Sequence, residues 1–299
     1  MEEQVKESSI LIREVETKNI MIKSTLPVGG YSVNPYVGCT HGCKYCYASF
    51  MKRFTGHTEQ WGTFLDVKRW PTIKNPWKYR GQRVVIGSVT DGYNPQEEQF
   101  GNTRRILEQL KGSGAEILIC TKSDLVVRDL ELLKTLGKVT VSWSINTLDE
   151  QFRADMDQAV SIERRLAAMK KVYDAGIRTV CFISPVFPGI TDFEAIFERV
   201  RNQCDLVWLE NLNLRGGFKK DIMDYIQEKY PDLVPLYDAI YNKKDRSYFQ
   251  MLEEKATRLA RNNNCPFVDN ELPYGRAEQG HPVIVDYFYH EEVRGSENT

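Results

Sequence analysis

No stretch of this 299-residue chain approaches the roughly 18 consecutive apolar residues that a membrane-spanning helix needs, so no membrane association is expected. The N-terminus, MEEQVKESSILIREVETK, lacks the apolar core of a secretory signal, and nothing in it predicts export. The expected location is therefore the cytoplasm, where the seven cysteines are free thiols or metal ligands rather than disulfides. An excess of one charge is also missing. Forty Lys+Arg against 41 Asp+Glu leave a net charge of −1, which argues against nucleic-acid binding over the whole surface but not against a local basic groove. Low-complexity tracts and internal repeats are absent, so a repeat architecture is not expected. What is present is ordinary globular material. Hydrophobic residues at 41% and charged residues at 27% suffice for a sizeable core in one large domain or two small ones.

Short β-branched runs alternate with longer helical patterns from about residue 33. The expected strands are 33–37, 83–89, 116–121, 138–145, 178–184 and 206–213, with helices near 44–54, 97–111, 124–136, 161–175, 192–203 and 218–229. In helix 161–175, Ile162, Leu166, Met169 and Tyr173 form one stripe, and Gly176 marks the stop. Thr191 and Glu194 read as a capping box, and Gly137 closes the Leu-rich helix before it. Six strand–helix units in succession predict an α/β fold of parallel strands, either an open doubly wound sheet or a barrel. In both architectures active sites gather at the carboxyl ends of the strands. Residues 55–82 read as a long excursion. Residues 231–299 leave the pattern and are expected to form two helices and short strands near 266–269 and 283–288, a C-terminal appendage to a unit spanning 1–230.

Cys39, Cys43 and Cys46 fall within eight residues, on the loop that leaves the first strand and enters the first helix. Three such thiolates select zinc or iron–sulfur, and a closed structural zinc site needs a fourth ligand, for which His41 is the candidate by composition. Cys120, Cys181, Cys204 and Cys265 form no second pair and read as buried small hydrophobes.

The spacing Cys-x3-Cys-x2-Cys, with Tyr45 before the last cysteine, resembles the radical S-adenosylmethionine (SAM) superfamily. The likeness extends through Asn34-Pro35-Tyr36, Gly38, His41, Tyr45-Cys46-Tyr47-Ala48, Gly56-His57 and Trp61-Gly62 to the spore photoproduct lyase-like branch. Thr90-Asp91 after strand two, Thr121-Lys122-Ser123 after strand three, Ser144-Ile145-Asn146 ending strand four, and the stretch ERRLAAMKKVYDAGIRTVCFISPVFPGITD continue it over about residues 31–215. The resemblance implies a partial (β/α)6 TIM-type barrel whose three cysteines hold a [4Fe–4S] cluster. It implies SAM at the cluster's open iron, reductive cleavage to a 5′-deoxyadenosyl radical, and hydrogen abstraction from a substrate. It also implies an external electron donor of flavodoxin or ferredoxin type, and SAM contacts from Thr90, Asp91, Lys122 and Ser144.

Alternation within strands agrees with a polar lumen. Ser142, Ser144 and Asn146 share one face of strand four, while Val141, Trp143 and Ile145 share the other; Cys120 and Lys122 share a face of strand three. Strand six places Asn211, Asn213 and Arg215 together after Val207 and Leu209. Arg215 is then either a bidentate partner for a carboxylate or phosphate or a surface residue at a capped strand end. Tyr45 and Tyr47 are candidates for radical relay or for packing the cluster or the SAM adenine, and His41 and His57 for supporting positions. One departure stands out. The lyase's hydrogen-donor cysteine aligns with Ser88, whose O–H is a much poorer hydrogen-atom donor, and only Cys120 or Cys181 on adjacent strands offers a substitute. Basic pairs on helices, Arg104-Arg105 and Arg164-Arg165 among them, read as a solvated outer face. The expected function is a radical SAM enzyme of unidentified substrate, with a DNA-photolesion lyase and a non-catalytic zinc-stabilised binding module as alternatives.

Overall fold

The computed structural model describes residues 10–24, 30–214, 216–263, 265 and 284–288. The chain opens with β1 (Leu11–Glu16) and β2 (Ile22–Lys23), then β3 (Tyr31–Val33) and β4 (Tyr36–Val37). After the cysteine loop come a 3-10 helix over Tyr47–Phe54, β5 (Phe64–Arg69) and a 3-10 turn over Pro76–Tyr79. Strands and helices then alternate: β6 (Arg83–Ile86), α1 (Glu97–Phe100), α2 (Asn102–Gln109), β7 (Glu116–Thr121), α3 (Leu130–Lys134) and β8 (Lys138–Ser144). They continue through α4 (Glu150–Met156), α5 (Ile162–Asp174), β9 (Arg178–Val186), α6 (Phe193–Val200), β10 (Leu206–Asn211) and α7 (Phe218–Lys229). The end of the chain supplies α8 (Val234–Tyr241), α9 (Ser247–Asn262) and β11 (Ile284–Phe288).

Strands β3, β6, β7, β8, β9 and β10 pair in parallel in that order, the six strands of a partial (β/α)6 barrel. β11 extends the sheet in parallel beyond β10, and β2 caps the β3 edge in antiparallel fashion. Strand periodicity sorts the side chains into two layers. Ile117 and Ile119, Val139, Val141 and Trp143, Cys181 and Ile183, and Val207 and Leu209 join the helices in the main core. Val85, Leu118, Val180, Leu206 and Trp208 turn to the other face, with Cys120 and Phe182 packed against them. Each fully buried aliphatic side chain stabilises by about 1.5–3 kcal/mol. The large helix-facing layer therefore dominates stability, and the lumen face can retain polar groups toward the strand ends.

Residues after 230 share these cores. Phe249, Leu252, Ala256 and Ala260 of α9 belong to the helix-facing cluster, and Tyr237 of α8 packs with Tyr45, Phe152, Phe187 and Ile226 in a second one. The strand expected at 283–288 is β11, and the one expected near 266–269 lies outside the described residues.

Several expectations are corrected. The strand read at 33–37 divides at Pro35, which has no N–H for a ladder bond; β4 leaves the barrel to pair antiparallel with β5 in a small sheet with β1. The excursion 55–82 thus contains a strand. The helix read at 97–111 is broken by Gly101 at φ 61°, and 44–54 is a 3-10 helix that begins only at Tyr47. α4 was not expected; its Asp149 cap accepts from the amides of Gln151 and Phe152. The cap of α6 is Asp192, which accepts from Ala195 N, while Thr191 donates its hydroxyl to Asn146 O at 3.0 Å.

Candidate active site

Cys39, Cys43 and Cys46 lie on the loop between β4 and the 3-10 helix, at the carboxyl ends of the barrel strands. Cys39 is buried, and Cys43 and Cys46 are half-buried. Short internal bonds shape the loop: Gly42 N donates to Cys39 O, Cys46 N to Cys43 O and Ser49 N to Cys46 O. The end of α4 and the segment after it hold it from outside, because Lys44 N donates to Met156 O and Gln158 N to His41 O at 2.7 Å. Gly38 enters the loop at φ +88°, and a Cβ there would stand 2.4 Å from Phe64 O, so the tight approach of the two sheets requires glycine.

Thr90 and Asp91, which follow β6, hold the same loop. Thr90 Oγ1 donates to Gly38 O at 2.6 Å. The buried Asp91 carboxylate accepts from Tyr93 N at 2.8 Å, Lys122 N at 2.7 Å and Thr121 Oγ1 at 2.9 Å, and its Oδ2 lies 2.9 Å from His41 Nε2. Burial acts to raise its pKa, but the His41 ring and these hydrogen bonds outweigh it and hold the carboxyl below its ordinary value. The sequence-derived SAM contact at Asp91 thus falls on a carboxylate already surrounded by protein donors.

Lys122 is half-buried at the end of β7, with Nζ 5.6 Å from the centre of the Tyr45 ring. Burial opposes its charge, yet Cys43 and Asp157 more than offset that and hold the ammonium above its usual pKa. Burial pushes the Cys39 thiol up to about 12 and Cys43 well above its usual range, with Lys122 acting against the rise at Cys43. Left to themselves these are neutral thiols; bound metal ions deprotonate them and balance the charge.

Tyr45 is buried, edge-on to Phe187 at 5.5 Å, and donates to Asp157 Oδ2 at 3.2 Å. Asp157 Oδ1 in turn takes the fully buried Arg165 at 2.7 Å, and Arg165 also donates to Ser144 O at 3.2 Å. Sequence reasoning missed this pair and assigned Arg165 to a solvated face. Only Arg164 is there, 61% exposed and paired with Asp124. The usable signal was Arg165's place beside Leu166 and Met169 on the apolar side of α5. Tyr47 is 55% exposed and leans over the mouth of the lumen, its hydroxyl donating to Ser88 O with Glu210 and Cys120 close by. Ser88 itself is half-buried and held by Asn34 Nδ2 at 3.0 Å.

The lumen beside this loop is partly polar. Ser142, opposite Cys120 in the register, is buried, and its hydroxyl has no partner among the described residues; the same holds for Asn146 Nδ2. Phe182 and Trp208 meet edge-on at 5.8 Å, and Ser184 Oγ donates to Glu210 at 2.5 Å. On β10 the lumen side carries Trp208, whereas Val207 and Leu209 face the helices. Asn211 follows a register shift and is buried, Asn213 is half-buried, and Arg215 lies outside the described residues. His57 is remote in role: its ring nitrogens bond Glu59 and Asp66, both at 2.9 Å, and it stacks on Phe64.

A single zinc ion needs its ligands gathered about 2.0–2.3 Å from one point. Among the described residues no group of three or more His, Cys, Asp or Glu side chains is so placed. No described helix is long and apolar enough to cross a membrane.

Comparison with known proteins agrees with this geometry. The family model of the radical SAM superfamily matches residues 33–200. An uncharacterised protein of Methanocaldococcus jannaschii is 34% identical over 239 residues, 79% of this chain and 89% of that protein. A radical SAM Nα-GlyT isomerase of Pseudomonas phage M6 is 25% identical over 182 residues, 59% of this chain and 36% of that protein. Among solved structures, a spore photoproduct lyase variant with bound SAM and dinucleoside spore photoproduct superposes with a TM-score of 0.54 at 17% identity. That match covers 74% of this chain and 66% of the lyase, and it speaks for the fold. On the family match, which spans more than half of its length, the chain belongs to the radical SAM superfamily, whose cofactors are a [4Fe–4S] cluster and SAM.

Proposed function

We propose that Cys39, Cys43 and Cys46 hold the cluster and that SAM lies across the strand ends near Lys122, Ser144 and Asn146, with substrate in the lumen beyond. The residues suit these groups. Three buried or half-buried thiols share one loop, and the ammonium of Lys122 lies beside it, over the Tyr45 ring. The observation that carries the reading is this loop at the mouth of a lumen whose buried Ser142 hydroxyl and Asn146 amide have no partner among the described residues. Buried polar groups of that kind are normally satisfied, which points to a polar ligand. When bound, the reduced cluster supplies the electron that cleaves SAM to methionine and a 5′-deoxyadenosyl radical able to take hydrogen from an unactivated carbon.

The chain's own residues do the positioning. Thr90 and Asp91 fix the entrance of the loop, and Asp157 and Arg165 hold Tyr45 beneath it. Lys122 offers a cation to an anionic group such as a carboxylate. Phe182 and Trp208 wall the lumen and limit water near the reacting carbon. Anaerobic reconstitution tests the reading: about four irons per chain, with 5′-deoxyadenosine formed from SAM and dithionite. Cys43→Ala is expected to lose both while keeping its helical circular dichroism. Zinc without iron, and no SAM cleavage, would overturn it.

A DNA-lesion lyase is the second reading, and Cys120 favours it. Burial keeps this thiol protonated, with a pKa pushed up to about 12, and it faces the lumen where Ser88 provides no S–H. That reading requires salt-dependent DNA binding and loss of lesion turnover in Cys120→Ala.

A further inference from the structure

The 3-10 helix that follows Cys46 carries a surface that the proposed chemistry at the strand ends does not use. Phe50 and Phe54 are 43% and 67% exposed, two of the nine large hydrophobic side chains that the described residues leave open. Gathered on one eight-residue helix, they form a contact patch rather than scattered surface residues. Phe50 and Phe54 meet edge-on at 6.5 Å, and the Arg53 guanidinium lies over both rings, 5.4 Å and 4.7 Å from their centres. Lys52 donates to Thr58 O at 2.8 Å. Among the described residues, neither Lys52 nor Arg53 is in an ion pair, while Lys44 lies over the Tyr225 ring of α7 at 5.5 Å, against the second core. In a chain of net charge −1 this is a local basic and aromatic face.

Its position gives it a use. A 3-10 helix rises about 2 Å per residue, so Phe50 stands roughly 8 Å and Phe54 roughly 16 Å along the axis from Cys46. A redox group resting on this face is therefore close to the third cluster ligand.

We infer that the Tyr47–Phe54 helix is the docking surface for the electron donor, a small acidic electron-carrier protein. This rests on the radical SAM reading above. The carrier's reduced group loses one electron, the cluster gains it, and no bond is made or broken in that transfer. Acidic side chains of the carrier meet Arg53 and Lys52, while the aromatic rings supply the apolar centre of a small, transient interface. Single-stranded nucleic acid also stacks on aromatic rings, but it needs a row of cations along its backbone. Here the guanidinium covers both rings instead.

The test compares the reconstituted enzyme with its Arg53→Glu and Phe50→Ser/Phe54→Ser variants. Each is driven either by a flavodoxin with its reductase or by dithionite, and flavodoxin affinity is measured separately by surface plasmon resonance. The expected result is a roughly tenfold loss of flavodoxin-driven 5′-deoxyadenosine formation and of flavodoxin affinity in the variants, steeper at low salt. Dithionite-driven formation should be unchanged. Equal loss with both reductants, or parent-like flavodoxin affinity, refutes the docking assignment. A single-stranded oligonucleotide that displaces flavodoxin, and whose own binding is lost in the variants, would reassign the face to nucleic acid. Failure of the parent to cleave SAM with dithionite would instead sink the underlying reading, which the affinity measurement does not share.

Discussion

Replacing Asp91 by alanine distinguishes a strut from a ligand contact. The carboxylate serves the His41 ring, the Thr121 hydroxyl and the amides of Tyr93 and Lys122 at 2.7–2.9 Å, in a position only 7% exposed. Leaving one buried donor without its acceptor costs about 1–3 kcal/mol. Four such losses do not add fully, because the neighbours share one cavity and water can enter it, so a loss of about 4 kcal/mol is expected. Asp91→Asn should lose about 2 kcal/mol, since its oxygen still accepts while its NH2 opposes one of the amides. The assay is urea unfolding of the protein before cluster loading, with the slope checked for constancy, followed by iron per chain after reconstitution. The charge has a pH signature as well. A carboxyl held below its unfolded value stabilises fully above about pH 4 and loses that contribution as pH falls through its lower folded value. The difference between parent and Asp91→Ala should therefore be flat near neutrality and shrink in acid. An Asp91→Ala protein within about 1 kcal/mol of the parent, with full iron content and only SAM affinity reduced, would refute the strut and restore a ligand contact.

Gly38→Ala forces a Cβ to 2.4 Å from Phe64 O at φ +88°; a loss of about 2–4 kcal/mol in unfolding free energy is expected, with poorer iron retention, and a parent-like midpoint would contradict it. Arg165→Met strands the buried Asp157 carboxylate and should cost about 3–5 kcal/mol, whereas Asp157→Leu/Arg165→Met should recover most of that in the same urea assay.

The strands of the barrel were legible because period-two alternation is a local property: Val141 and Trp143 turn to the helices, and Ser142 to the lumen. β1 and β5 were not, since LIREVE and FLDVKR interleave charges with apolar residues. The burial of Asp66 makes sense only once His57 bonds it. The cysteine loop was legible as a cluster of thiols because Cys39, Cys43 and Cys46 are close in sequence. The Tyr45 hydroxyl and Asp157 are 112 residues apart, and nothing in Asp157-Gln158-Ala159 announces that bond. Thr191 resembled a cap for an equally local reason, but its hydroxyl is held by the loop after β8.

The division of the first barrel strand at Pro35 has a consequence for how the protein matures. Past that point the chain hangs between two sheets, tied by Thr90 to one side, by Gly38 against Phe64 to the other, and by Met156 and Gln158 from above. All of these ties are between protein groups. On the proposed reading, the cysteine loop is therefore expected to hold its shape before a cluster is delivered, unlike small zinc modules that fold only around their ion. The expected outcome is that a chain stripped of its cluster keeps its helical circular dichroism and takes up iron and sulfide again, rather than joining the unfolded pool.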